Sequence, residues 1–178
     1  MDRQELHIVV DAREKLPFDF TGASIYEGTT VEAGTLATGD YSVKGLESAV
    51  ACERKSLPDL IQCLSGSRER FVRELERARG LEAFCVVVEA PWEALAKGQY
   101  RSQLAPLAAT QSIASFMSRL QIPFWFCGSR AAAEFCTWSF LRQFAEGQRQ
   151  KLKAVEQALG LRPARRRAGP DSSPAREA

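Results

Sequence analysis

The sequence predicts one α/β domain in which a mixed β-sheet is flanked by helices, and three observations favour it. Strand-type apolar runs come first, between residues 6 and 55, and helical patterns then alternate with strands. The 178 residues, 45% of them hydrophobic and 26% charged, suffice for one core but not for two full domains. From residue 161 apolar residues disappear, so we expect a folded domain over residues 1–160 and a disordered basic tail over 161–178.

The strands come mostly from the first third of the chain. Residues 6–10 form a short β-branched run that predicts a buried strand ending at Asp11. The segment 16–32 is rich in Pro, Gly and Thr, which predicts irregular structure with at most one edge strand, around Ile25 and Tyr26. Two strands, 35–43 and 48–55, are expected to form a hairpin.

Capping residues and apolar spacing predict the remaining elements. Ser56 is a suitable N-cap, Pro58 and Asp59 suit a first helical turn, and Gly80 suits a helix end. The predicted helices cover 57–64, 68–79, 104–120 and 131–159, the last as one or two helices, with a loop or short helix after Pro91; the predicted strands cover 83–89 and 123–127.

Composition excludes several other classes of protein. The net charge is only +2, so any nucleic-acid binding must depend on local clusters. The five cysteines are odd in number and lack zinc-type spacing, which indicates reduced thiols. No apolar run approaches the roughly 20 residues that cross a bilayer, and residues 1–5 lack the layout of a secretory signal, so we expect a soluble intracellular protein without membrane partners.

Charged residues at the predicted strand ends carry the chemistry. Side chains alternate along a strand, so Glu53 and Lys55 should share one side about 7 Å apart. The hairpin can bring Asp40 to the same end of the sheet, and Asp11 can be a third carboxylate there. Three carboxylates in one place repel one another unless a divalent cation neutralises them. Because their ligand atoms are all oxygens, the cation that suits them is Mg²⁺ or Mn²⁺. The pattern predicts a phosphodiester hydrolase; the alternative is a solvated strand end.

Several blocks of sequence carry a family resemblance. In order and spacing they resemble the nuclease signature of the XPF family within the PD-(D/E)XK superfamily, and the likeness extends over roughly residues 6–145. The resemblance implies a restriction-endonuclease-like fold for the XPF-type nuclease domain expected over residues 1–160. The blocks are residues 10–14, 39–41, 52–56 with 59–60, and 65–68.

The resemblance also implies roles for individual residues. Asp11, Asp40 and Glu53 would be metal ligands, directly or through water, and Lys55 would position the nucleophile, so that these four form the catalytic set. Five residues are implied to support the site or bind DNA: Arg13, Glu14, Arg54, Asp59 and Arg68. Arg13 and Arg54 would contact phosphate or orient the carboxylates, whereas Asp59 is either a supporting acid or an ordinary helix N-terminal acid. Arg68 would mark the family's Gly-Arg element, although Ser67 separates it here from Gly66.

Arginines on the second predicted helix allow two interpretations. Arg70, Arg73 and Arg77 share a face that could follow a DNA backbone. Three glutamates, at positions 69, 74 and 76, alternate with these arginines and favour an ion-paired, solvated helix instead.

The implied activity is a Mg²⁺- or Mn²⁺-dependent DNA endonuclease that cuts branched or single-strand/double-strand junction DNA in repair or recombination. One alternative is a catalytically silent DNA-binding or scaffold domain of the same family that acts with a partner; another is an unrelated phosphate-handling enzyme. XPF-type proteins usually continue into a helix-hairpin-helix module; we expect no such module in this sequence, so that the tail or a partner subunit would supply targeting. A homodimer is expected through apolar positions of 108–120 and 135–144. The expected location is the cytoplasm, with the nucleoid, in bacteria or phage and the nucleus in eukaryotes.

Overall fold

A computed structural model describes residues 5–161 and shows a six-stranded mixed sheet flanked by helices. The strands are β1 Leu6–Asp11, β2 Thr29–Gly34, β3 Tyr41–Val43, β4 Val50–Lys55, β5 Ala83–Val88 and β6 Phe124–Phe126. The helices are α1 Leu57–Leu64, α2 Arg68–Ala78, α3 Trp92–Ala96, α4 Pro106–Leu120 and α5 Arg130–Ala158, with a 3-10 turn at Ser24–Tyr26. The α/β class and the flanked mixed sheet predicted from the sequence are confirmed.

The strand order, β2-β1-β3-β4-β5-β6, explains where functional residues can meet. The strand β3 runs antiparallel to both β1 and β4, whereas β4, β5 and β6 are parallel. The carboxyl ends of β1 and β4 and the amino end of β3 therefore lie at one edge of the sheet. Residues that end β1, precede β3 or end β4 come together there.

Two expectations for the strands were wrong in detail. The edge strand is Thr29–Gly34, which pairs in parallel with β1, while Ile25 and Tyr26 belong to the 3-10 turn. The short β-branched run after Gly28 forms the strand because the edge of β1 is available to it. Residues 35–40 are not a strand, because Gly39 adopts a φ of 82° that turns the chain immediately before β3.

Apolar side chains cover both faces of the sheet. One cluster joins β4, β5 and β6 to helices α1 to α4, with Leu60, Leu75 and Ile113 fully buried. The other joins β1, β3, β4 and β5 to the first part of α5 and includes Trp138 and Leu141. The sheet is thus the middle of three layers, and its polar edge is left for the site.

The chain divides into two units, Met1–Ala145 and Glu146–Ala178. In the second unit Arg149 donates to Glu146 over 2.6 Å and 3.1 Å. The predicted tail, apart from Leu161, lies outside the described residues. All five cysteines are free thiols, as predicted, with the Sγ atoms of Cys52 and Cys85 3.4 Å apart on neighbouring strands. No helix within residues 5–161 combines the length and apolarity needed to cross a membrane.

Candidate active site

A cleft of about 400 Å³ lies at the sheet edge where β1 and β4 end. Its walls mix both signs of charge, because acids and bases from four segments of the chain meet there. The acids are Asp11, Glu14, Asp40, Asp59 and Glu74, and the bases are Arg13, Lys15, Arg54, Lys55 and Arg77. Three of the four predicted catalytic residues, Asp11, Asp40 and Lys55, therefore line one cleft.

Main-chain hydrogen bonds fix the position of Asp40 between two strands. The amide of Asp11 donates to the carbonyl of Asp40, and the amide of Asp40 donates to the carbonyl of Cys52, each over 2.8 Å. The Arg54 amide donates to the Asp40 side chain at Oδ2, also over 2.8 Å. The ends of β1 and β4 are thus joined through one residue, as the hairpin interpretation predicted.

Gly39 is required for this arrangement. A Cβ atom built at Gly39 would lie 2.9 Å from the Cβ of Ala51 and 3.0 Å from the carbonyl oxygen of Cys52, both on β4. Real Cβ atoms avoid such distances, and the φ of 82° is itself unfavourable for any residue with a side chain. The Gly-Asp pair seen in the sequence therefore has a physical basis, since the glycine lets Asp40 approach β4.

Asp11 is held as an ion by Arg13. The guanidinium of Arg13 donates to Oδ1 over 2.7 Å and to Oδ2 over 2.9 Å, and the Arg13 amide donates to Oδ1 over 2.9 Å. The amide of Leu36 donates to Oδ2 over 2.8 Å. These bonds, the Arg13 side chain first, lower the pKa of Asp11 to about 2, although burial opposes them. Arg13 therefore contacts the Asp11 carboxylate, and both of its predicted roles stay predictions.

The pKa values of Asp40 and Glu53 are both raised, which means that their charged forms are disfavoured. Burial raises the pKa of Asp40 to about 6, against the opposing effects of the Arg54 amide and the Lys55 ammonium. Glu53 is 3% exposed, and burial followed by the charge of Asp40 raises its pKa well above the usual range. The Lys55 ammonium donates to Oε1 of Glu53 and partly compensates. As predicted from strand alternation, Glu53 and Lys55 share one side of β4.

The predicted ligands Asp11, Asp40 and Glu53 are not arranged to coordinate a metal ion together. Glu53 is absent from the cleft wall, where Lys55 stands, and both oxygens of Asp11 accept hydrogen bonds. Across residues 5–161, no three acidic, histidine or cysteine side chains lie close enough together to hold a metal ion. Ligation by Asp11, Asp40 and Glu53 therefore stays a prediction.

Arg54 points to the opposite face of β4 from Lys55 and is a structural residue there. Its guanidinium donates to both carboxylate oxygens of Glu89, over 2.8 Å and 3.0 Å, and to Glu14 over 3.4 Å. Arg130 also donates to Glu89 over 2.8 Å and to the carbonyls of residues 16 and 17. The Arg54 side chain is only 9% exposed, and the contacts it makes are with carboxylates; a role in phosphate contact stays a prediction.

Asp59 keeps both of its predicted interpretations. It lines the cleft, and it also lies in the first turn of α1, where its amide donates to Ser56 Oγ over 3.2 Å and Ser56 Oγ donates to its carboxylate over 2.6 Å. An acid at this position stabilises the helix N-terminus whatever else it does. The location supports neither role over the other.

Arg68 lies away from the cleft. Its guanidinium donates to Ser112 Oγ over 2.9 Å and stacks 5.3 Å from the centre of the Phe116 ring, both on α4. Arg70 and Arg73 accompany it around a separate surface pocket, whereas Arg77 lines the cleft. The predicted arginine face of α2 is therefore divided between two sites.

Two acids of this region were not predicted as site residues. Glu74 was interpreted as one of several exposed acids on α2, but it lines the cleft; its spacing of three residues from the buried Phe71 could have indicated this. Glu89 ends the apolar run of β5, and only the strand pairing shows that it meets Arg54.

The fold and the cleft define a restriction-endonuclease-like domain. The ERCC4 domain family model matches residues 10–139, and the chain belongs to that family. Two solved structures are similar in fold. XPF from Aeropyrum pernix is 18% identical with a TM-score of 0.60, over 85% of this chain and 73% of that chain. XPF from Aeropyrum pernix in complex with DNA is 19% identical with a TM-score of 0.61, over 80% of this chain and 66% of that one. The comparison with curated proteins gave no match.

Proposed function

We propose that this chain is a Mg²⁺- or Mn²⁺-dependent DNA endonuclease that cuts branched or single-strand/double-strand junction DNA in repair or recombination. The observation that carries the proposal is the cleft that gathers Asp40 and Lys55, with Glu53 bonded behind Lys55, inside the segment that the ERCC4 domain model matches. DNA as the substrate is supported by the complex of the Aeropyrum pernix protein, which is similar in fold.

Asp40 and Glu53 fit a divalent cation by their chemistry. Both offer only oxygen atoms, which hard cations such as Mg²⁺ and Mn²⁺ prefer. Burial raises the pKa of each carboxyl, and a bound cation would remove the cost of charging them. We infer that these two residues hold the cation, with Asp11 joining directly or through water. When bound, such a cation activates water and stabilises charge on phosphate oxygens.

The side chains of the cleft divide the remaining tasks. Lys55 lines the cleft together with Asp40, and its ammonium would hold the attacking water or a phosphate oxygen. Arg13, whose side chain is 73% exposed, keeps Asp11 ionised and is free to exchange that contact for a phosphate. Lys15 and Arg77, from different segments of the chain, also line the cleft and would contact the DNA backbone.

One observation favours the alternative of a catalytically silent DNA-binding domain. Glu53 is engaged by Lys55 and Asp11 by Arg13, and the described residues contain no assembled three-acid site. A silent domain would bind branched DNA equally well with or without a divalent cation.

Cleavage assays separate the two proposals. The full chain is incubated with flap, fork and Holliday-junction DNA in Mg²⁺, Mn²⁺ or EDTA, alongside Asp40→Asn and the control Glu76→Gln, which alters an exposed acid of α2. We expect the wild type and the control to cut in metal, and Asp40→Asn to fall to the EDTA background while its circular dichroism is unchanged. DNA binding without cutting by the wild type supports the silent domain.

We also propose a homodimer, the assembly expected from the resemblance. Several of the predicted interface positions close the monomer's own core instead, because Ile113 and Leu141 are fully buried. Met117 and Phe135 remain 44% and 45% exposed and are the apolar positions available to a second copy. Light scattering after size exclusion tests this, and a clean monomer at micromolar concentration contradicts it.

A further inference from the structure

Glu74 occupies an unusual place for a glutamate on an amphipathic helix. Helix α2 buries Phe71, Leu75 and Ala78 against the sheet. Glu74 lies three residues after Phe71 and four before Ala78, so it shares the side of the helix that faces the protein. It is accordingly half-buried, whereas Glu76, two residues further along, is exposed.

A contact at the end of β4 directs this side of α2 towards the cleft. The Lys55 ammonium lies 5.6 Å from the centre of the Phe71 ring, which ties the helix to the predicted catalytic lysine. Because residues three apart on a helix are neighbours, Glu74 comes next to this contact. It lines the cleft together with Asp40, Lys55 and Asp59.

Glu74 is close enough to the predicted cation ligands for its charge to act on them. It acts electrostatically on the carboxyls of Asp40 and Glu53 and on the guanidinium of Arg13. Within residues 5–161, the carboxylate itself makes no hydrogen bond or ion pair. Two bases of the cleft are already engaged, Arg13 by Asp11 and Lys55 by Glu53, so the oxygens of Glu74 remain available in the cleft wall.

We propose that Glu74, supplied by α2, supports cation binding in the cleft and acts with Asp40 and Glu53 through water rather than as a third direct ligand. This inference rests on the proposed function, since it assigns a further residue to the same site. It distinguishes Glu74 from the other glutamates of α2, which the helix turns towards solvent.

Calorimetric titration of the metal-free full chain with Mn²⁺ tests the proposal. We expect Glu74→Gln to weaken Mn²⁺ binding by about 10-fold or more, as loss of a metal-supporting group commonly does. The control Glu76→Gln should bind as the wild type does, and Glu74→Asp should recover part of the affinity. In cleavage assays, Glu74→Gln should need more Mn²⁺ for half-maximal rate but approach the wild-type rate at saturating metal.

The outcomes separate this inference from the proposed function. If the wild type binds Mn²⁺ and Glu74→Gln binds it equally tightly, Glu74 is not part of the site, while the proposed function stands. If the wild type binds no Mn²⁺, both fail. Urea unfolding and circular dichroism of Glu74→Gln accompany the titration, and Glu74→Asp replaces it if that variant does not fold.

Discussion

Replacing Gly39 by alanine tests how Asp40 is placed against β4. Two costs add at this position. A left-handed φ costs a residue with a side chain about 1–2 kcal/mol, and the φ here is 82°. The new Cβ would also lie 2.9 Å from the Cβ of Ala51 and 3.0 Å from the carbonyl oxygen of Cys52. Such overpacking costs about 1–3 kcal/mol, so we expect Gly39→Ala to lower the free energy of unfolding by about 2–5 kcal/mol.

Gly45 provides a matched control. Its φ of 81° is nearly the same, but nothing lies within 4 Å of a Cβ built there. Gly45→Ala should therefore show only the backbone cost, about 1–2 kcal/mol. Urea unfolding followed by circular dichroism measures both variants, and the difference between them isolates the close approach to β4.

A second measurement connects this packing to the site. Because the Asp40 amide bonds to the carbonyl of Cys52, a shift of residue 39 should move Asp40 and weaken both Mn²⁺ binding and cleavage. Gly45→Ala should leave both unchanged. Equal stability of the two variants, with wild-type cleavage by Gly39→Ala, would refute the idea that the close approach of residue 39 positions Asp40.

Three further predictions follow from the ionic contacts of the site. In EDTA, the hydrogen bonds to the Asp11 carboxylate, that of the Arg13 side chain first and those of the Leu36 and Arg13 amides after it, should together stabilise the fold by about 2 kcal/mol, because they lower the pKa of Asp11 from 3.8 to about 2. This contribution should be complete above pH 3.8 and lost as the pH falls through 2, so the gap in urea stability between wild type and Asp11→Asn should close over that range; a gap independent of pH contradicts the prediction. Arg54→Met should destabilise the fold by about 3–5 kcal/mol in urea unfolding, because it leaves the carboxylate of Glu89 short of a partner; wild-type stability would show that Arg130 alone suffices. Mn²⁺ at 100 times its Kd should stabilise the wild type by about 2.7 kcal/mol and leave Asp40→Asn unchanged, and equal shifts in thermal unfolding would place the cation elsewhere.

Local signals in the sequence were sufficient to predict most of the helices and strands. Ser56 and Pro58 set the beginning of α1, and the alternation of side chains along β4 correctly placed Glu53 and Lys55 on one side and Arg54 on the other. These features depend on neighbours within a few residues, which a sequence displays directly. The pairing that brings Asp40 to the end of β4 followed from the hairpin.

Features that depend on distant packing were not predictable in the same way. The strand β2 is largely exposed and is defined by its parallel pairing with β1, so its own pattern gave little sign of it. The position of Glu74 in the cleft depends on how α2 rotates to bury Phe71, and the contact between Arg54 and Glu89 depends on the pairing of β4 with β5. The engagement of Asp11 by Arg13 required the geometry of the turn after β1.

Main-chain hydrogen bonds join Asp11, Asp40 and Cys52, so the strand ends are joined by groups other than the carboxylates that the proposed chemistry uses. Amides and carbonyls hold the strand ends together, so exchanging the carboxylates for uncharged side chains of similar size leaves that framework in place. A descendant of this chain could therefore lose the proposed activity in a single step and still persist as a folded domain. Selection would then be free to retain the scaffold for recognition alone.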